Sequence, residues 1–362
     1  MKNILRCVLV LLTIFVFVGC GGRDSEIIEK EPIVEEIIEV EEEEEEEEIE
    51  EIPEGMAINP LTGLWIDEEA ANRRPISIMI NNLGPAVPQS GIAQADIFYE
   101  TLVEGGITRL LAIFQDFNAE KIGPVRSARH YFLDYAYDHD ALYVHYGQSP
   151  QANVAFRDRS APNLNGLSYL DTIMCFRDHS RVAPHNTYTS FNGLMAAWDR
   201  VGYRTNISDE FESKLHFFEE ETIHEDGKNA IKVTLPYSNN TIYRSIFKFD
   251  ADKMEYRRYH RGGTEPFIDK ETGDQLHFKN IIVQYTEMWV IPGDTEHRMD
   301  QRLVSEGNGY YISNGKAIEI SWKRDDMKST TKYFDKNENE LMINKGKTWI
   351  AIFPNNREII LE

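Results

Sequence analysis

The sequence predicts an α+β protein, with a mixed α/β N-terminal domain followed by a mostly antiparallel β C-terminal domain. Two observations carry this expectation. Between residues 56 and 210, strand-like apolar runs alternate with stretches that open on helix-start signals. From residue 229 to 358, nearly every apolar run is short, rich in β-branched or aromatic residues and bounded by turn formers. Residues 204–228 between them are charged and aperiodic, which places the domain boundary there.

Residues 1–20 read as an export signal. Lys2 and Arg6 precede an apolar run that stops at Val18-Gly19-Cys20, with Gly21 and Gly22 after it. The run is short for a membrane span, which needs about 20 residues. Small residues before a cysteine resemble the lipobox of bacterial lipoproteins, so Cys20 is the expected site of lipidation, carrying palmitate-type acyl chains. The mature protein is then held on the extracytoplasmic face of the cell membrane. Cys7 leaves with the signal and Cys20 is acylated, so Cys175 has no disulfide partner. A single thiol in such a setting reads as a small buried hydrophobe.

Residues 21–55 form an acidic tether, with eight consecutive glutamates at 41–48. Like charges at every helical neighbour distance repel, and too few apolar residues are present to bury a core. Fully extended, such a segment reaches on the order of 120 Å. Its 18 acidic residues against Arg23 and Lys30 give −16, and the signal gives +2, so of the total −23 only −9 belongs to residues 56–362. A moderately acidic, exported body does not suit phosphate-backbone neutralisation, which excludes nucleic acid as a partner.

Within the body, residues 74–82, 95–103, 107–116 and 141–147 read as strands, the first ending in the pair Asn81-Asn82. Ser149-Pro150 supplies an N-cap and a first-turn proline for a short helix, and a second helix from about Ser190 to Val201 closes at Gly202. Further along, Asn314-Gly315 between two β-rich runs is a hairpin signal.

The most informative stretch is Gly123 to Gly147. Gly123-Pro124 predicts a helix from about Pro124 to Asp138, whose 100° steps place Arg126, Arg129, His130, Leu133 and Tyr137 on one face. Arg126 would then lie in the first turn, against the helix dipole, and needs a compensating anion. Two candidates stand side by side: a protein carboxylate such as Glu100 or Glu104, or a bound ligand. A second polar segment, Arg177 to Asn186, presents Arg181, His185 and Asn186 around a proline. Across a cleft the two segments would offer Arg126, Arg129, His130, Arg181, His185 and Asn186, an inventory suited to an anionic, hydroxyl-rich ligand. The alternative is a polar network that only fixes the 177–187 loop. A catalytic reading would use His130 or His185 as general acid-base beside Glu104 or Asp171. Metal-ligand spacings, a nucleophile elbow and glycine-rich phosphate loops are absent, so neither a metal nor a cofactor is expected. Tyr143, Tyr146, Trp198, Trp289, Trp322 and Trp349 could stack on sugars, but aromatic residues in strands more commonly build core.

In the blocks YETLVEGGITRLLAIF, GPVRSARHY, RVAPHNTYTS and the closing GKTWI, the chain resembles the YerB-like lipoprotein family of monoderm bacteria. The resemblance spans roughly Asn59 to Pro354. It implies a two-domain α+β body on a lipid anchor in a Gram-positive envelope, and it brings no established catalytic residues. The expected role is a non-enzymatic adaptor or regulator that binds a cell-wall polymer or a cell-wall synthesis or lytic enzyme. A hydrolase or transferase acting on wall glycan is the alternative.

Overall fold

A computed structural model describes residues 53–362. The signal segment, Cys20 and nearly all of the acidic tether lie outside the described residues. The body is α+β and rich in strand.

Its centre is an eleven-stranded mixed sheet that draws strands from both halves of the sequence. From one edge the order is 228–229, 316–324, 305–313, 280–286, 348–354, 97–102, 108–114, 76–80, 142–145 and 163–165, with 332–334 added to 316–324. The change of composition at 204–228 is therefore no break in the sheet. Strand Thr348–Pro354 lies between the halves and runs parallel to both neighbours, Asn280–Thr286 and Ile97–Leu102. All its residues are buried. Its sequence TWIAIFP is apolar on both faces, as a strand covered from both sides requires. Trp349, Ala351 and Phe353 feed one core cluster, while Ile350 and Ile352 feed the other.

The first cluster is closed by helix Phe191–Val201, through Leu194, Ala197 and Trp198, and by Val233, Phe247 and Phe278 of a second, antiparallel sheet. The second is closed by helix His130–Tyr137, which contributes Tyr131, Phe132 and Tyr135. Strand pairing within residues 228–362 is mostly antiparallel, and the parallel pairing of 348–354 with 280–286 is the exception. Its partners lie far apart in sequence, and local patterning does not encode strand direction.

Three local signals produce the elements expected of them. The Ser149 hydroxyl accepts from Ala152 N at 3.1 Å and starts helix Pro150–Asp158. The Ser190 hydroxyl accepts from Gly193 N at 3.1 Å, and helix Phe191–Val201 ends at Gly202 with φ 69°. Asn314 and Gly315, both with positive φ, turn the 305–313 strand into the 316–324 strand.

The helix expected from Pro124 does not form. Residues 122–128 are extended, and their amides are used laterally: Ile122 N donates to Thr189 O at 2.7 Å, Val125 N to Thr187 O at 2.7 Å, Arg126 N to Met79 O at 2.9 Å and Ala128 N to Gly147 O at 2.9 Å. Each such bond removes a donor from the i→i−4 ladder. Gly123 has φ 140°, and a Cβ there would stand 2.8 Å from Val125 N, so only glycine fits. The helix begins at His130 instead.

Candidate anion-binding site

Because Arg126 lies in the extended segment, the helix-dipole argument for it falls away. So does the shared helical face with Arg129 and His130. Arg129, just before the helix, is buried and forks onto Glu104, with Nε to Oε2 at 3.0 Å and Nη2 to Oε1 at 2.5 Å. Arg109 Nη2 adds a third donor to Glu104 at 3.1 Å. Partial burial alone would raise the Glu104 carboxyl, but Arg109 and Arg129 outweigh it and hold the group at about 2. The carboxylate alternative thus holds for Arg129, through Glu104 and not Glu100.

Arg126 differs. It forms no ion pair among the described residues, and its buried Nε has no hydrogen-bond partner there. Burial and the neighbouring Arg129 charge both lower its pKa, with only Glu104 opposing. His185, from the 177–187 loop, stands within reach of its charge and of Arg181's. His185 is held below its ordinary pKa first by burial and then by the charges of Arg126 and Arg181. His185 Nδ1 lies 2.8 Å from Asn81 Nδ2, at the end of the 76–80 strand. Arg181 donates through Nη1 to Pro85 O at 2.9 Å and through Nη2 to Pro88 O at 2.5 Å, which fixes its direction without neutralising it.

The remaining candidates are employed elsewhere. His130 Nε2 lies 2.7 Å from Asp300 Oδ1, tying the helix to the Met288–Val290/Met299–Gln301 hairpin. Asn186 is buried, and its Oδ1 accepts from Arg177 Nη1 at 3.1 Å, so it braces the loop. Arg177 also donates to Tyr146 Oη at 2.7 Å and lies over the Tyr146 ring at 4.8 Å. Asp171 accepts from Tyr146 Oη at 3.2 Å. Burial pushes the Cys175 thiol up to about 12, so it is no thiolate near neutral pH. Tyr143, Trp198, Trp322 and Trp349 are core residues, whereas Trp289 is half-buried beneath Arg302.

Arg126 and Arg181 thus both bear on His185, with Asn81 against its ring; the cluster is cationic through the two arginines, which favour the neutral imidazole between them. Sequence reading overlooked Asn81 and Arg109. Both carried a signal: Arg109 is a charge inside the apolar run TRLLAIF, which requires a buried partner, and Asn81 ends a strand at a polar pair.

The sequence matches known proteins on both sides of residue 210. Residues 61–204 match the N-terminal domain, and residues 233–350 the C-terminal domain, of the family described as protein of unknown function DUF3048. The chain is 33% identical over 296 residues to YerB of Bacillus subtilis (strain 168), a protein named as a lipoprotein by inference, covering 82% of this chain and 86% of that one. The crystal structure of YerB protein from Bacillus subtilis superposes with a TM-score of 0.72, covering 83% of this chain and 98% of that one. With both of its domains matched in order and a relative similar over most of its length, this chain belongs to the DUF3048 family.

Proposed function

We propose that the protein is a lipid-anchored envelope protein on the extracytoplasmic face that binds an anionic, hydroxyl-bearing cell-wall polymer and acts as an adaptor or regulator. The observation that carries this reading is Arg126, a half-buried guanidinium that forms no ion pair among the described residues and bears, with Arg181, on His185. An uncompensated cation in that setting is costly to maintain, and a ligand phosphate or carboxylate would offset the cost. Binding is favoured over glycan hydrolysis because neither Glu104 nor Asp171, the carboxylates considered as partners of a catalytic histidine, is free for that role. Glu104 is held by two arginines, and Asp171 receives the Tyr146 hydroxyl.

Co-sedimentation tests the reading. The unlipidated mature chain should pellet with wall sacculi that retain their anionic polymer and stay in solution with sacculi stripped of it. Arg126→Ala should weaken pelleting about tenfold, the loss of about 1.4 kcal/mol. Equal pelleting by both preparations, or by the variant, would overturn it.

A further inference from the structure

A second cationic pocket lies at the joint between the two family segments. Its wall combines Asn82 and Val87 from the N-terminal segment with Arg244, Ser245, Arg258 and His260 from the C-terminal one, around a cavity of about 40 Å³. The Arg126 cluster contacts the same 81–88 loop through other residues, Asn81, Pro85 and Pro88.

Arg258 defines the pocket. It is 2% exposed, and Phe247, Phe267 and Trp349 lie within 5.1–5.3 Å of its Cζ. One of its nitrogens is used, Nη2 donating to Ser245 Oγ at 2.7 Å. Nε and Nη1 are buried without hydrogen-bond partners among the described residues, and so is Nε of Arg244. Each buried donor left unmade costs about 1–3 kcal/mol, more in a charged group.

The nearest carboxylate does not meet this need. Glu100 is fully buried and faces Arg258 only through a hydroxyl: Ser245 Oγ lies 2.6 and 2.7 Å from its two oxygens, and Thr108 Oγ1 lies 2.7 Å from Oε1. The contrast with Arg129, which Glu104 grips at both ends, is direct. A pair serving only as a structural tie would close that fork. The other nearby carboxylate, Glu265, belongs to Arg261 at 3.1 Å and stands 3.9 Å from His260.

The geometry points to a small-oxyanion site in which Arg258 and Arg244 hold a carboxylate or phosphoryl end group of a ligand, with Ser245 and Glu100 fixing Arg258 from behind. The cavity exceeds the roughly 10–15 Å³ that one water needs and has room for a compact anionic group. A guanidinium supplies the directional donors such a group requires.

Trp349, 5.3 Å from Arg258 Cζ, supplies the readout. Tryptophan fluorescence of the mature chain is titrated at constant ionic strength with acetate and, separately, with inorganic phosphate. A saturable change with a Kd on the order of millimolar is expected for at least one of them. A response to acetate alone supports the site with a carboxylate ligand, and a response to phosphate alone supports it with a phosphoryl ligand. Arg244→Gln, on a partly exposed wall, should weaken the response about tenfold while the melting temperature holds. No saturable response to either anion would overturn the proposal, as would an undiminished response in a folded Arg244→Gln protein.

Discussion

Lys214 Nζ lies 2.9 Å from Asp138 Oδ2 with both side chains out of contact with water. The same carboxylate accepts from an Arg324 Nη2 and from Thr331 N at 3.1 Å, while Lys214 also donates to Tyr99 Oη at 2.6 Å. Burial opposes ionisation of Asp138, yet Lys214 and Arg324 hold its pKa below the ordinary value. Helix 130–137, the 316–324 strand and the segment after residue 204 are thereby tied at one carboxylate. Asp138→Ala strands two buried cations and should cost about 3–5 kcal/mol in equilibrium denaturation. A loss below about 1 kcal/mol would show that the network contributes no net stability.

Glu104 makes a pH prediction. Its carboxyl sits at about 2 in the folded state, against about 4.3 in an unfolded chain. A depressed folded pKa gives stability that is present above the unfolded value and lost as pH falls through the folded one. The protein should lose this contribution between about pH 4.5 and 2, and Glu104→Gln should flatten that part of the stability profile. Parallel profiles for the two proteins across the window would contradict it.

The two arginines of the GPVRSARHY block should behave oppositely. Arg129→Ala breaks a bidentate pair with Glu104 and should destabilise by about 2–3 kcal/mol, below the range for fully buried pairs because Glu104 stays partly wet. Arg126→Ala removes an unpaired cation beside a like charge and should leave stability within about 0.5 kcal/mol. Thermal melts of both variants decide it, and an equal loss would mean that Arg126 has a structural partner.

The lipid anchor expected from the sequence is Cys20. Cys20→Ala should release the protein into the medium or leave its signal uncleaved, because a tail of glutamates is repelled by anionic lipid. Fractionation and immunoblotting read the outcome, and a processed variant that stays with the membrane would refute the lipid anchor.

What could be read in the sequence was local. Caps at Ser149 and Ser190 and the Asn314-Gly315 turn act through neighbours two to four residues away, so their elements form where the residues ask for them. Gly123-Pro124 failed as a helix start because its meaning depended on partners at residues 79, 147, 187 and 189, which nearby sequence does not reveal. The site divided in the same way. Residue types suggested a cationic cluster, and Arg126 and Arg181 both bear on His185, but assigning Arg129 to Glu104 and His130 to Asp300 required the tertiary fold.

Strand 348–354 also sets an order of events during folding. Its neighbour Ile97–Leu102 is made long before it, so that strand waits for a partner remote in sequence. Until then one edge of that strand is open, a template for pairing with other chains. Contacts so distant in sequence slow folding. A chain lacking this late strand thus carries an unpaired edge in the middle of its sheet, and the arrival of 348–354 turns an edge strand into an interior one.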